Sequence, residues 1–110
     1  MKVTIILDNL RSVYNVGSIF RTANACGVNH IVLCGTTPTP LDKKGEKRKD
    51  FAKVALGAEE TVSWEYREST TESLKQLKID GYYIVAIEQD EKSVDYKNVD
   101  IREQEKVAFI

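Results

Sequence analysis

The sequence predicts an α/β fold: a mostly parallel sheet with helices on both faces, formed by residues 1–110 as a single domain. Three observations carry this expectation. Short apolar, β-branched runs of strand length stand at residues 3–7, 31–34, 82–87 and 107–110. Between the first two runs, Val16, Ile19, Phe20, Ala23 and Cys26 recur with the helical period, as one stripe of an amphipathic helix. Strand, helix and strand in that order make a β-α-β crossover, which joins parallel strands.

The first strand, residues 3–7, leads into the loop Asp8-Asn9-Leu10-Arg11-Ser12. That loop leaves the carboxyl end of the strand, where open α/β sheets place their ligands. Asn15 reads as the N-cap of the helix and Gly27 as its stop. Asn15, Ser18 and Arg21 succeed one another at three-residue intervals. At about 100° per residue, Arg21 falls opposite the centre of the apolar stripe, held out of the core near a donor-rich loop. From spacing alone, a cap and a solvated arginine explain these residues as well as a binding site does.

After the second strand, Pro38 and Pro40 hold the chain extended. The run Lys43-Lys44-Gly45-Glu46-Lys47-Arg48-Lys49 is then either a solvated loop or a phosphate-binding arm. A helix is expected over residues 49–56, with Phe51, Val54 and Ala55 inward and Gly57 ending it. Residues 61–66 alternate and suit an edge strand. Its Trp64 and Tyr66 rings either pack on the adjacent helix or stack on bases. Thr70 or Thr71 is expected to cap a helix through Lys78, with Leu74 and Leu77 inward. The unbroken apolar run 82–87 suits a buried central strand. The charged residues 88–105 read as a surface connection. In the last strand, Val107, Phe109 and Ile110 are expected to be poorly covered.

Composition narrows the class. With 42% hydrophobic and 30% charged residues the chain resembles a soluble globular domain, and no apolar run approaches membrane-spanning length. A cytoplasmic protein without a membrane partner is expected. Cys26 and Cys34 lie inside elements without metal-site spacing, which suits buried free thiols. His30 borders a strand and is expected to be structural. The net charge of −1 hides an asymmetry: residues 1–58 carry nine Lys or Arg against four Asp or Glu, residues 59–110 seven against thirteen. The positive half contains the loop, its helix and the basic run.

Residues 9–27 read N-x-R-S-x-Y-N-x-G-S-I-F-R-T-A-x-A-x-G. This pattern resembles the first motif of the SpoU (TrmH-like) family of RNA methyltransferases, within the SPOUT superfamily. Residues 53–60, K-V-A-L-G-A-E-E, with Trp64-Glu65-Tyr66, are similar to that family's next stretch, so the resemblance covers essentially the whole chain. It implies S-adenosylmethionine-dependent methylation of a ribose 2′-hydroxyl in tRNA or rRNA, a knotted α/β fold, and a homodimer in the full-length protein. Arg21 and Asn15 match the motif's catalytic arginine and asparagine. Because an arginine, with a pKa above about 12, is a poor base, Arg21 is better cast as stabilising a developing alkoxide, with Asn15 orienting it or the ribose. Asn9 and Arg11 are expected to contact phosphate or ribose, with Ser18, Lys47 and Arg48 as further RNA contacts.

The family's second motif carries a glutamate and its third is rich in serine and asparagine; neither has a counterpart here. They form the knot and most of the cofactor pocket. The chain is therefore expected to be the amino-terminal portion of a SpoU-type catalytic domain, lacking the knot-forming segment. No residue within it is expected to bind cofactor, and the isolated chain is expected to be inactive. Two alternatives stay open. One is a noncatalytic RNA-binding or dimerising remnant. The other is a generic α/β domain binding an anionic small molecule at the helix terminus, although GxGxxG and GxxxxGK[ST] are absent.

Overall fold

A computed structural model describes residues 1–87 and 105–110. Along the chain run β1 (Lys2–Asp8), α1 (Val13–Cys26), β2 (His30–Cys34), α2 (Lys49–Ala55), α3 (Ala58–Thr61), β3 (Ser63–Arg67), α4 (Thr70–Ile79), β4 (Tyr83–Val85) and β5 (Lys106–Phe109). The strands form one sheet in the order β3-β2-β1-β5-β4, and every neighbouring pair is parallel.

β1 and β2 send alternate residues into two separate cores. Leu7, Ile31 and Leu33 pack under α1, α2 and α3, against Val16, Phe20, Phe51, Ala55 and Ala58. Ile6, Val32 and Cys34 face the other way, with Ala108, beneath Leu74 and Leu77 of α4. Helices therefore cover both faces, which is why β1 and β2 read as unbroken apolar runs. The first core is closed by Phe20 and Phe51, whose rings meet edge to face at 5.2 Å. α1 and α2 approach so closely that a Cβ at Gly17 would stand 2.9 Å from the Val54 Cβ.

Several local expectations are corrected. Ser12, not Asn15, caps α1: its hydroxyl accepts the Asn15 N–H at 3.1 Å, so Asn15 lies within the first turn. Both residues are good capping types, and the helix takes the earlier one. Likewise Ser69 caps α4, one residue before Thr70. The run 82–87 is not a central strand. Only Tyr83–Val85 is extended, at the sheet edge, where Tyr83 remains 43% exposed. β5 takes the interior place between β1 and β4, so Val107 is fully buried and only Phe109 and Ile110 are partly covered. α3 has no counterpart among the expected elements; it is a single turn after Leu56 and Gly57 both adopt positive φ. Cys26 is exposed at the end of α1, whereas Cys34 is buried. The expected connection over residues 88–105 lies outside the described residues except for Glu105.

The edge strand β3 is held to β2 by side chains as well as by its ladder. The His30 ring contacts the Ser63 hydroxyl at 2.8 Å and the Glu65 carboxylate at 3.0 Å, and Arg67 donates to the same carboxylate at 2.9 Å. Burial alone would raise the Glu65 pKa, but the hydrogen bonds from His30 and Arg67 outweigh it and hold it below its ordinary value. His30 is thus structural. Among the described residues, no helix is long and apolar enough to cross a membrane.

Replacing Phe20 with alanine removes the ring that joins α1, α2 and the sheet. The expected loss is about 3–5 kcal/mol, read as a lower urea midpoint with an unchanged slope. A loss below about 1 kcal/mol would mean that this contact does not hold the first core together.

Candidate functional site

The carboxyl ends of β1, β2 and β3 open onto three segments: the loop after Asp8, the loop after Cys34, and the start of α4. Side chains tie them to one another. Asn9 takes a left-handed conformation, φ 53°, which asparagine tolerates better than most residues. Its Oδ1 accepts the Thr36 N–H at 3.0 Å, and its Nδ2 donates to Asp8 Oδ1 at 3.0 Å. The same Asp8 oxygen accepts the Thr70 hydroxyl at 2.6 Å, bringing in α4. Thr37 is buried beneath: its hydroxyl accepts the Leu10 N–H at 3.1 Å and lies 2.8 Å from the Cys34 carbonyl and 3.0 Å from that of Leu7.

This bracing demands Gly35. Its φ is +65°, and a Cβ there would collide with Asn9 Oδ1. The space a side chain would fill is occupied by the asparagine amide. Asn9 therefore spends both ends of its amide on the loop, and acts by positioning the residues that come after it.

Those residues are Arg11, the Ser12 cap and α1. No acidic residue occupies the first turn of α1, so nothing within the helix offsets its positive end. Arg11, Tyr14, Asn15 and Arg21 are exposed and Ser18 is partly so. Among the described residues neither Arg11 nor Arg21 enters an ion pair. The structure thus places Asn9, Arg11, Asn15, Ser18 and Arg21 on one continuous loop and helix, with two guanidinium groups facing solvent.

Lys47 and Arg48 are placed differently. The basic run forms a compact hairpin in which Asp42 Oδ1 accepts the N–H groups of Lys44 at 2.8 Å and Glu46 at 2.9 Å. A bridge joins Leu41 to Lys47, and Arg48 N–H bonds to the Pro40 carbonyl at 2.9 Å. Lys47 pairs with Glu60 of α3, and Arg48 holds Asp50 through two contacts at 3.1 and 2.8 Å. These hydrogen bonds lower the pKa values of Glu60 and Asp50 and raise those of their cationic partners. Both cations are thus already committed to carboxylates, whereas Lys43, Lys44 and Lys49, exposed like Lys47, enter no ion pair among the described residues.

Trp64 packs against the first core, and the Tyr66 hydroxyl donates to the Gly35 carbonyl at 2.8 Å. Sequence reasoning does not single out Asp8, Gly35 or Thr37, and it reads Thr70 only as a helix cap. A Gly-Thr-Thr run after a strand marks a tight turn, but nothing in it names a partner 27 residues upstream. Among the described residues, no group of three His, Cys, Asp or Glu is arranged to hold a metal ion.

The profile of the SpoU rRNA Methylase family matches residues 2–110. The 23S rRNA (guanosine-2′-O-)-methyltransferase RlmB of Neisseria meningitidis serogroup B is 32% identical over 89 residues, 81% of this chain and 33% of that protein. The AdoMet-bound rRNA methyltransferase of Sinorhizobium meliloti superposes with a TM-score of 0.82 at 25% identity, covering 98% of this chain and 38% of that one. The TrmH/SpoU tRNA modifying enzyme of A. aeolicus has the same fold, with a TM-score of 0.78 at 23% identity, over 99% of this chain and 51% of that one. The chain thus spans about a third of the length of the curated relatives it matches.

Gly35→Ala should destabilise the protein by about 1–3 kcal/mol, since it combines a positive φ with a collision. Hydrogen exchange at the Leu10 and Thr36 amides should quicken with it. Unchanged exchange at both would show that the Asn9 brace does not hold the loop.

Proposed function

The chain belongs to the SpoU rRNA methylase family, and on that premise we propose that it carries the RNA-facing part of a ribose 2′-O-methyltransferase. Its substrate is tRNA or rRNA, and its methyl donor S-adenosylmethionine. Residues 1–110 correspond in this reading to the amino-terminal portion of the catalytic domain. The supporting observation is the braced loop and helix: Arg11 stands exposed before the cap at the carboxyl edge, and Asn15 and Arg21 stand exposed along the helix that follows, whose first turn carries no acid.

These residues divide the work by chemistry. Arg11 neutralises phosphate and sets the register of the RNA without reading bases. Asn15 offers an amide that orients a ribose hydroxyl or the Arg21 guanidinium. Arg21 stabilises the oxyanion as the 2′-hydroxyl proton passes to a nearby RNA phosphate or to water, a role suited to a permanent cation. Ser18 lies between them on the helix and adds a hydroxyl contact. Lys47 and Arg48 serve as RNA contacts only where phosphate competes with Glu60 and Asp50.

S-adenosylmethionine supplies an electrophilic methyl group to that oxygen, but the described residues do not complete a site for it. The crevice at the ends of β1, β4 and β5 has a volume of about 330 Å³ and is lined by Ile6, Leu7, Leu10, Ala86, Ile87, Ile110 and Asp8. Among the described residues Asp8 is the single charged side chain there, and its Oδ1 is engaged by Asn9 and Thr70. A ligand with an amino acid head, a ribose and an adenine needs several convergent polar partners. An apolar wall with one carboxylate favours reading the isolated chain as an inactive, RNA-binding unit. The same reading includes a homodimeric full-length protein in the cytoplasm.

Filter binding with unstructured tRNA or rRNA fragments tests the RNA surface. Affinity should fall as salt rises from 50 to 200 mM, roughly tenfold or more if a few phosphates are contacted, and Arg11→Glu with Arg21→Glu should weaken it further. Salt-independent binding, or none, would remove RNA from the reading. Calorimetric titration of the same chain with S-adenosylmethionine should show no micromolar binding; a micromolar constant would place the cofactor on this chain's own residues.

A further inference from the structure

We propose that Tyr14 is a base-stacking residue of this surface, reading an unpaired nucleotide next to the one whose ribose lies at Arg21. The inference rests on the RNA reading above and adds to it a contact with a base rather than with phosphate or ribose.

Tyr14 is 66% exposed although it sits in the first turn of α1, the helix that packs over the first core. Aromatic residues lose side-chain freedom in a helix and are poor helix formers, so an exposed first-turn position ordinarily favours an acidic or small residue. Here the first turn holds no acid and the aromatic ring instead. Among the described residues the Tyr14 hydroxyl has no hydrogen-bond partner, whereas the hydroxyl of Tyr66, also exposed, is tied to the Gly35 carbonyl. Among the described residues, the ring belongs to neither core cluster and its hydroxyl is unbonded.

Helix geometry supplies the rest. Tyr14 and Arg21 are seven residues apart, which leaves them about 20° apart around the axis and about 10 Å apart along it. Ser18 lies between them. All three therefore share the outward stripe of α1, opposite the buried residues Val16, Phe20 and Ala23. Arg11, also exposed, precedes the cap at the Tyr14 end of α1. An aromatic plane flanked by guanidinium groups on a rigid element suits an unstacked base whose backbone tracks the cations. A base-paired duplex does not offer such a face, so the expected partner is a loop or single-stranded segment.

The test separates stacking from charge. Fluorescence anisotropy at low salt measures affinity for a labelled single-stranded oligoadenylate, with inorganic polyphosphate as a base-free competitor. Tyr14→Ala should weaken oligoadenylate binding by about tenfold and leave competition by polyphosphate unchanged, while Tyr14→Phe should bind like the parent. Arg11→Ala should weaken both polyanions. The position is exposed, and thermal melting of each variant confirms that the fold is kept. If Tyr14→Ala binds oligoadenylate as the parent does, the stacking role is overturned and the RNA reading stands. If it weakens both polyanions equally, the ring is not read by a base. If the parent chain binds neither polymer, the RNA reading falls and the proposal falls with it.

Discussion

The molecule is organised by the position of β1. It is paired on both sides, to β2 through five residues and to β5 through four, and its side chains enter cores on both faces. Such a strand has nowhere to move, because a one-residue slip would exchange Ile6 and Leu7 between the two cores. The loop that leaves it therefore starts from a fixed point. Asp8 and Asn9 extend that fixity past the sheet, through Thr70 on one side and Thr36 on the other. The exposed arginines stand at the end of this chain of constraints, and their geometry is inherited from it.

Legibility from the sequence depends on how local each signal is. The β1-α1-β2 unit is readable because strand length, helical period and crossover are all expressed within about thirty residues. The order of the strands is not. That β5 enters between β1 and β4 depends on which surfaces remain uncovered once the helices are placed, and an apolar run such as 82–87 suits an edge as well as a centre. The cap of α1 is misplaced by sequence reasoning because Ser12 and Asn15 are chemically equivalent as caps, and only backbone conformation separates them. The outward direction of Arg21 is legible from angular spacing alone. The commitment of Asn9 to the loop is not, since its partners are a backbone N–H in another loop and a carboxylate that sequence patterns do not flag.

Charge shows the same division. The basic run is conspicuous in one dimension, but its acidic partners lie beyond it in the chain, Asp50 directly after it and Glu60 thirteen residues past Lys47. Folding brings Glu60 to Lys47 and Asp50 to Arg48, so two residues that look well suited to phosphate are already satisfied. Arg11 and Arg21, less conspicuous in the sequence, keep their full charge toward solvent. Exposed ion pairs contribute little to stability, and the pairing matters here mainly for where an anion would settle.

The pairing of β5 also sets an order of assembly. Lys2 lies opposite Lys106, so one of the two inner ladders of the sheet joins residues about a hundred positions apart. During synthesis β1 and β2 emerge before β5, with α1 already available to cover one side, but the second edge of β1 stays unpaired until β5 leaves the ribosome. Contacts so distant in sequence form slowly, and an open parallel edge is prone to wrong partners in the interval. The loop that follows β1 is therefore specified well before the pairing that holds it in its final setting.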